Sequence, residues 1–175
     1  MINIRLMIEY DFDAVMDIQS SAYHPFFQEE RFVFEDRLHN FPDGCWIAEV
    51  DGCPAGYLFS HPCQLNAPPK LNSAIESLTE EPDCYFIHDV AVNPRFRGAG
   101  IGRSLADKAK HLASEYSFKD MALISVQNSE KFWNKMGFKR VTALTQEMSE
   151  KIESYKTESY PNSCLMTLSL NLSKF

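Results

Sequence analysis

Nine residues in the middle of the chain have the types and spacing of an anion-binding loop. They are Arg95-Phe96-Arg97-Gly98-Ala99-Gly100-Ile101-Gly102-Arg103, here called the glycine loop, and they follow a strand-like run and open an amphipathic helix. Glycines let the backbone approach a ligand closely, the first turn of a helix offers free N–H groups, and arginines add positive charge. The loop is therefore predicted to bind a pyrophosphate.

The spacing within the glycine loop separates three nucleotide-binding designs. A Walker loop would need glycine at position 97 and lysine at position 103, where the chain has Arg97 and Arg103. A dinucleotide fingerprint would need a third glycine at position 103 and an immediate strand-to-helix turn, which Asn93-Pro94 interrupts. The third design, Arg/Gln-x-x-Gly-x-Gly/Ala, is satisfied by Arg97, Gly100 and Gly102.

With this motif the chain resembles the GCN5-related N-acetyltransferase (GNAT) superfamily, in which the loop binds the pyrophosphate of acetyl-CoA. Two further segments carry the resemblance. Ile87-His88-Asp89-Val90-Ala91-Val92-Asn93-Pro94 is similar to the family's fourth strand and its exit, and Phe132-Trp133-Asn134-Lys135-Met136-Gly137-Phe138 is similar to its aromatic-x-x-x-Gly-Phe helix end. The resemblance implies an acetyl-CoA-dependent N-acetyltransferase in which a primary amine attacks the thioester directly in a ternary complex.

The resemblance also implies where acetyl-CoA binds, namely between the fourth and fifth strands, which part from each other. Backbone groups of Val90 and Val92 are expected to pair with the pantetheine arm, and the Val90 N–H is expected to donate to the thioester oxygen, an effect worth about 3 kcal/mol of barrier. Asn128 is expected to cap the following helix and is placed where it could also touch the pantetheine. The cofactor-binding residues are predicted to be Val90, Ala91, Val92, Arg97, Gly98, Ala99, Gly100, Ile101, Gly102, Arg103, Ser104, Asn128 and Phe132.

Two residues of the fourth strand are candidates for the base. An alkylammonium has a pKa of about 10.4, so a base helps to produce the nucleophilic amine at neutral pH. His88 is the first candidate, because arylalkylamine N-acetyltransferases carry a histidine at this position and its neutral form is available. Asp89 is the second, on the opposite face of an unbulged strand. The alternative for His88 is the role of a polar core residue. For Asp89 the alternative is a structural role, and we favour that role.

The acid that protonates the thiolate is not assigned by the resemblance. Many family members place a tyrosine four residues before the glycine of the helix end, where this chain has Trp133, and an indole N–H is not a useful acid near neutral pH. The thiolate could take a proton from water, or Ser125, Tyr155 or Tyr160 could supply it. Trp133 and Phe132 are expected to pack against the cofactor or the core.

The acceptor pocket of such a fold is made by the first two helices, their connecting loop and the insertion between strands three and four. An aromatic wall beside carboxylates suits an aryl- or alkylamine, although aromatic residues also build cores. A peptide or protein amine is the main alternative acceptor, and a noncatalytic acyl-CoA sensor is the alternative to an enzyme. The wall residues are Tyr23, Phe26, Phe27, Phe32 and Phe34, with Glu29, Glu30 and Asp36 beside them.

Composition sets the class of the protein. The 175 residues are 45% hydrophobic, which suffices for one substantial core, and the formal charge of -7 disfavours nonspecific nucleic-acid binding. Five cysteines without metal-ligand spacing, no charged-then-apolar leader and no apolar run of about 20 residues favour a cytoplasmic protein that does not bind a membrane. No metal is expected, and the protein is expected to be a monomer or a homodimer.

Hydrophobic patterning predicts one α/β domain over residues 1–175, with a mixed sheet of six to seven strands and helices on both faces. A helix begins at residue 101 with an apolar face of Ile101, Leu105, Ala109, Leu112, Ala113 and Tyr116. Residues 62–84 carry four prolines and are predicted to be a long functional loop, with a disordered insertion as the alternative. Strands are predicted over 3–8, 45–50, 55–60, 85–92, 121–126, 139–144 and 164–170, and further helices after Asp11, within 26–39 and over 128–136.

Overall fold

The computed structural model of the chain describes residues 1–75 and 77–170. The strands are β1 Ile2–Leu6, β2 Cys45–Val50, β3 Cys53–Cys63, β4 Cys84–Val92, β5 Asp120–Ser125, β6 Lys139–Arg140 and β7 Cys164–Ser169. The α-helices are α1 Phe12–Ala22, α2 Arg31–Asn40, α3 Ile101–Glu115, α4 Glu130–Lys135 and α5 Gln146–Glu153. Position 76 of the predicted 62–84 loop and positions 171–175 of the predicted domain lie outside the described residues.

The seven strands form one mixed sheet in the order β1-β2-β3-β4-β5-β7-β6. β4 and β5 are parallel, and their pairing covers only Tyr85 to Ile87 against Met121 to Leu123. The other neighbouring strands are antiparallel. Beyond Ile87 the two central strands therefore part, which leaves a gap at the carboxyl end of β4.

Helices cover both faces of the sheet, so the predicted fold class is confirmed. α3 and α4 pack on one face, where Leu105, Leu112 and Trp133 join the largest core cluster. α1 and α2 cover one half of the other face, and α5 covers the other half through Met148 and Ile152. Among the described residues, no helix is both long and apolar enough to cross a membrane.

A β-bulge in β4 changes which side chains share a face. Asp89 pairs with Phe59 and Ile87 pairs with Ser60, so His88 is an extra residue in β4. Ile87 packs in the cluster under α3, and Val90 packs against the same cluster. The alternation of side chains therefore shifts by one residue between them. The prediction of an unbulged strand, with Asp89 opposite His88, is wrong.

Several predicted boundaries are corrected by the structure. β3 extends to Cys63 and β4 begins at Cys84, because Pro62 and Cys63 continue the ladder opposite Tyr85 and Cys84. β6 ends at Arg140, since the chain turns away from β7 after two residues. Tyr116, predicted on the apolar face of α3, is 44% exposed, because the helix ends there and its hydroxyl donates to Asp43.

One helix was not predicted. In α5, Thr145 is the N-cap and its hydroxyl oxygen accepts a hydrogen bond from the Met148 N–H. Met148, Ile152 and Tyr155 follow at helical spacing and are buried. The signal of a capping threonine followed by apolar residues at i+3, i+7 and i+10 was present in the sequence.

Candidate active site

The gap between β4 and β5 opens into a cavity of about 410 Å³. Residues 88–92 of β4 line one side, and Leu123, Ile124 and Val126 at the end of β5 line the other. Arg97 and Gly102 of the glycine loop also line the cavity, as do Tyr23 and Glu29. One continuous space therefore joins the predicted anion-binding loop to the predicted acceptor wall.

The glycine loop has the backbone geometry of an anion site. Gly98 and Gly100 have φ values of +84° and +81°, and a Cβ on either would meet no atom within 4 Å, so the space above the loop is open. The first hydrogen bond of α3 runs from Ser104 N–H to Gly100 O at 3.0 Å. The N–H groups of the three preceding residues are therefore not used within the helix and are available to an anion.

The loop residues divide between the solvent, the cavity and the core. Gly102 packs beside Phe132 and Val92, both of which line the cavity. Ile101 is 1% exposed and its side chain belongs to the core, so it offers only its N–H. The exposed residues of the loop are Arg95, Arg97, Gly98, Ala99, Gly100 and Arg103.

Asp89 lies at the bulge and is held by two tyrosines. Its Oδ1 atom is 2.7 Å from the hydroxyl of Tyr23, and its Oδ2 atom is 2.8 Å from the hydroxyl of Tyr57. Burial raises the pKa of the Asp89 carboxyl to about 7, with the charge of Glu29 acting in the same direction and the two hydroxyls opposing it. This carboxyl can therefore gain and lose a proton near neutral pH.

His88 lies beside Asp89 but has both ring nitrogens engaged. Nε2 is 2.7 Å from Oε1 of Glu29, and Nδ1 is 3.5 Å from Nη2 of Arg37. Arginine is always a donor, so Nδ1 accepts and Nε2 carries the hydrogen that is donated to Glu29. Burial lowers the pKa of His88, and Arg37 adds to this effect against the opposing charge of Glu29.

Glu29 connects His88 to the 64–83 loop. Its Oε2 atom accepts a hydrogen bond from the Asn72 N–H at 2.8 Å. Burial alone would raise the pKa of Glu29, but this N–H, the His88 contact and the nearby charge of Arg37 outweigh it and lower the pKa. Glu29 is therefore a buried anion, and His88 is a neutral ring that supports it.

The 64–83 loop borders the cavity and is held by hydrogen bonds to several elements. Leu71 lines the cavity and its N–H donates to Ser154 Oγ at 3.0 Å. The hydroxyl of Tyr155 donates to the Pro69 carbonyl at 2.8 Å, and the fully buried Arg37 donates to the Ser73 carbonyl at 2.6 Å. The loop is thus fixed against α2 and the end of α5.

Gln127, which the sequence analysis did not single out, bridges the mouth of the gap. Its Oε1 atom accepts from the His24 N–H at 2.7 Å, and its Nε2 atom donates to the Ala22 carbonyl at 3.0 Å. The neighbouring Asn128 does not cap α4, contrary to prediction, because α4 begins at Glu130 and Ser129 occupies the N-cap without a side-chain hydrogen bond. Asn128 has a φ of +59°.

The structure separates the candidates for the acid. Trp133 lines the cavity and packs edge-on against Phe132 and Phe138. Ser125 is buried and shares a hydrogen bond with Ser129. Tyr155 lines the cavity, but its hydroxyl is directed at the Pro69 carbonyl.

Only some residues of the predicted acceptor wall line the cavity. Tyr23, Phe27 and Glu29 line the cavity, whereas Phe34 is fully buried in the core under α1 and α2. Phe26 and Phe32 are exposed. Within residues 1–75 and 77–170, no cluster of three His, Cys, Asp or Glu side chains could hold a metal ion.

The profile of the acetyltransferase (GNAT) family matches residues 12–138, which is more than half of the chain. The chain belongs to this family. The matched segment contains the glycine loop, the bulged β4 and the α4 helix end. The GNAT resemblance inferred from the motifs is therefore confirmed.

Comparisons with single proteins agree with this assignment. An uncharacterized N-acetyltransferase of Methanocaldococcus jannaschii is 27% identical over 145 residues, covering 77% of this chain and 59% of the relative. The loading GNATL domain of CurA from Lyngbya majuscula has a TM-score of 0.71 at 13% identity, covering 97% of this chain and 98% of that one. The ribosomal-protein-S18-alanine N-acetyltransferase of Escherichia coli has a TM-score of 0.68 at 15% identity, covering 100% and 99%. At these identities the structures share the GNAT fold.

Proposed function

We propose that the protein is an acetyl-CoA-dependent N-acetyltransferase that acetylates a small aryl- or alkylamine by direct attack in a ternary complex. The observation that carries this proposal is the continuous cavity that joins the glycine loop to Asp89. A donor pyrophosphate at one end and an amine at the other would bring the thioester to the bulge of β4. Membership in the GNAT family supports acetyl-CoA as the donor.

Donor binding is assigned to the glycine loop and the unpaired edge of β4. Arg97 and the free N–H groups at the start of α3 would hold the pyrophosphate, because anions bind favourably at helix N-termini. Val90 and Val92 would pair with the pantetheine arm, since β5 does not pair with them. The Val90 N–H would donate to the thioester oxygen, and Phe132 would cover the channel.

We assign the role of base to Asp89 rather than to His88. A group with a pKa near the working pH is the most effective proton acceptor, and that of Asp89 is about 7. Each oxygen of a carboxylate has a further lone pair beside the one used by a tyrosine. Both nitrogens of His88 are engaged, so we assign it to holding Glu29.

The 64–83 loop favours a small amine over a peptide. Hydrogen bonds at Leu71 and Asn72 hold the 64–83 loop against the cavity, and this restriction would admit a small amine more readily than an extended peptide. Phe27 and Leu71 offer apolar surface to the body of an amine, and the anionic Glu29 favours its positive charge. We therefore propose that the function of the predicted 62–84 loop is to form this wall of the acceptor pocket.

A peptide amine is the second candidate. The Escherichia coli protein named above shares the fold and modifies an alanine of a ribosomal protein. Incubating the purified protein with acetyl-CoA and either 2-phenylethylamine or a tetrapeptide with a free N-terminal alanine separates the two. We expect acetylated 2-phenylethylamine by mass spectrometry and stoichiometric release of free CoA.

Other outcomes of this experiment have defined meanings. Preferential acetylation of the peptide would replace the small-amine proposal with the peptide one. Tight binding of acetyl-CoA without CoA release from any amine in a broad panel would replace the enzyme with an acyl-CoA sensor. We further propose that the protein is a monomer or a homodimer. We also propose that it is cytoplasmic, a location with which the five free cysteines are compatible.

A further inference from the structure

The hydroxyl of Tyr23 has one hydrogen and two neighbouring acceptors. Its oxygen lies 2.7 Å from Oδ1 of Asp89 and 2.8 Å from the carbonyl oxygen of Val90. A phenol donates one hydrogen, so both contacts are full hydrogen bonds only when Asp89 is protonated and donates to Tyr23. The Tyr23 hydroxyl and the Asp89 carboxyl thus have two hydrogen-bond arrangements. Asp89 donates to Tyr23 when it is protonated, and it accepts from Tyr23 when it is ionised.

We propose that Tyr23 is the catalytic acid that protonates the departing CoA thiolate and that Asp89 resupplies its proton. This inference rests on the proposed acetyltransferase function. Tyr23 follows α1 and lines the same cavity as Trp133, which occupies the position where many GNAT relatives have a tyrosine. The acid is thereby moved from α4 to the end of α1, across the gap in the sheet.

The proton balance of the reaction closes within this pair. The ammonium first loses one proton to the solvent. The nitrogen of the neutral amine then forms a bond to the thioester carbon, and the proton that this nitrogen gives up passes to the ionised Asp89. The carbon–sulfur bond then breaks and the electron pair stays on the sulfur. Tyr23 gives its hydrogen to the thiolate while the protonated Asp89 returns one to Tyr23, which leaves an amide, a thiol and the original carboxylate.

The surroundings of Asp89 suit both halves of this transfer. Tyr57 from β3 donates to the second oxygen, the anionic Glu29 lies nearby in front of α2, and the neighbouring His88 is neutral. Asp89, with a pKa of about 7, is a stronger acid than a thiol with a pKa of about 8.5. Burial raises the pKa of Tyr23 well above 10, so Tyr23 acts as a relay and not as a source of protons.

The second tyrosine that lines the cavity is differently placed. Tyr155 directs its hydroxyl to the Pro69 carbonyl on the 64–83 loop. Its contacts therefore hold the acceptor wall, whereas those of Tyr23 lie at the β4 bulge. Tyr23 and Tyr155 therefore line the same cavity but differ in the partners of their hydroxyl groups.

The test compares wild type with Tyr23→Phe, Asp89→Asn and Tyr57→Phe, using acetyl-CoA and 2-phenylethylamine from pH 5.5 to 9.5. For Tyr23→Phe we expect kcat to fall by about 100-fold with the KM for acetyl-CoA changed less than threefold. Asp89→Asn should abolish the rise of kcat near pH 7. Tyr57→Phe should move that rise to higher pH, because the Tyr57 hydroxyl lowers the pKa of Asp89, with a smaller loss of the limiting rate than Tyr23→Phe.

A readout independent of turnover accompanies the kinetics. The ¹³C chemical shift of the Asp89 carboxyl in labelled wild-type protein should titrate near pH 7. In Tyr23→Phe the midpoint of this titration should move to higher pH, because the Tyr23 hydroxyl lowers the pKa of Asp89. If wild type is active and Tyr23→Phe keeps kcat within threefold, or if Asp89 titrates near pH 4, the inference is overturned and the proposed function stands. If wild type binds acetyl-CoA but acetylates no amine, the proposed function fails first and the acid role fails with it.

Discussion

Oε1 of Glu29 lies 2.7 Å from Nε2 of His88, and the two side chains are 5% and 1% exposed. The residue His88 as a whole is only half-buried, so the part of it that meets the cavity is its backbone. The ring therefore holds Glu29 from within the protein, and the β4 backbone faces the cavity.

Removal of the Glu29 carboxylate is expected to destabilise the fold. In Glu29→Ala the buried His88 Nε2–H and the Asn72 N–H lose their acceptor, and the free energy of unfolding should fall by about 2–3 kcal/mol. Urea unfolding measures this. The control is Glu30→Ala, because Glu30 is exposed and its carboxylate accepts from the Asn72 amide at the longer distance of 3.4 Å. Equal losses in the two variants would contradict the role given to Glu29.

The buried histidines predict a loss of stability in acid. Burial lowers the pKa of His61 to about 3 and also lowers that of His88, so the unfolded chain binds protons at these sites before the folded one does. Their contribution to stability is present above pH 6.5 and is lost as the pH falls toward 3. His61→Gln should flatten this decline in a thermal-unfolding series, and the exposed His39→Gln should leave it unchanged. An unaltered slope in His61→Gln would refute the assignment.

The glycine loop has a matched control elsewhere in the chain. Gly100 and Gly52 have φ values of +81° and +79°, and an added Cβ at either would meet nothing within 4 Å. Replacement by alanine should therefore cost about 1–2 kcal/mol of stability at both, through backbone strain alone. Gly100→Ala should in addition weaken acetyl-CoA binding at least tenfold by calorimetry, because it lies at the start of α3. Similar affinities in both variants would remove the loop from the donor site.

Loosening the acceptor wall should affect the amine and not the donor. In Tyr155→Phe the hydrogen bond to the Pro69 carbonyl is lost, which costs about 1 kcal/mol and frees part of the 64–83 loop. The KM for 2-phenylethylamine should rise about fivefold, while the KM for acetyl-CoA stays within twofold. Tyr10→Phe, at a 93% exposed tyrosine, provides the control. A parallel rise in both KM values would show that the loop does not act on the acceptor alone.

The sequence was informative where function depends on local backbone chemistry. Gly100 and Gly102 sit next to a strand and a helix that their own neighbours specify, so the loop and the order of the elements could be read directly. The bulge at His88 could not, because it is a relation between the registers of β3 and β4. The contact of Tyr23 with Asp89 joins residues 66 positions apart and depends on that bulge. Helix α5 was missed although Thr145 marked its start.

Gln127 has a mechanical consequence for the whole molecule. The strands on either side of the gap pair at three residue positions, from Tyr85–Met121 to Ile87–Leu123, and the last of these pairs borders the cavity. Near the mouth, the amide of Gln127 holds the chain after β5 to the end of α1 at both its oxygen and its nitrogen. Gln127 therefore adds to the short β4–β5 pairing a second connection between the two halves of the sheet, beside the hydrogen bonds that join the 64–83 loop to Ser154 and Tyr155.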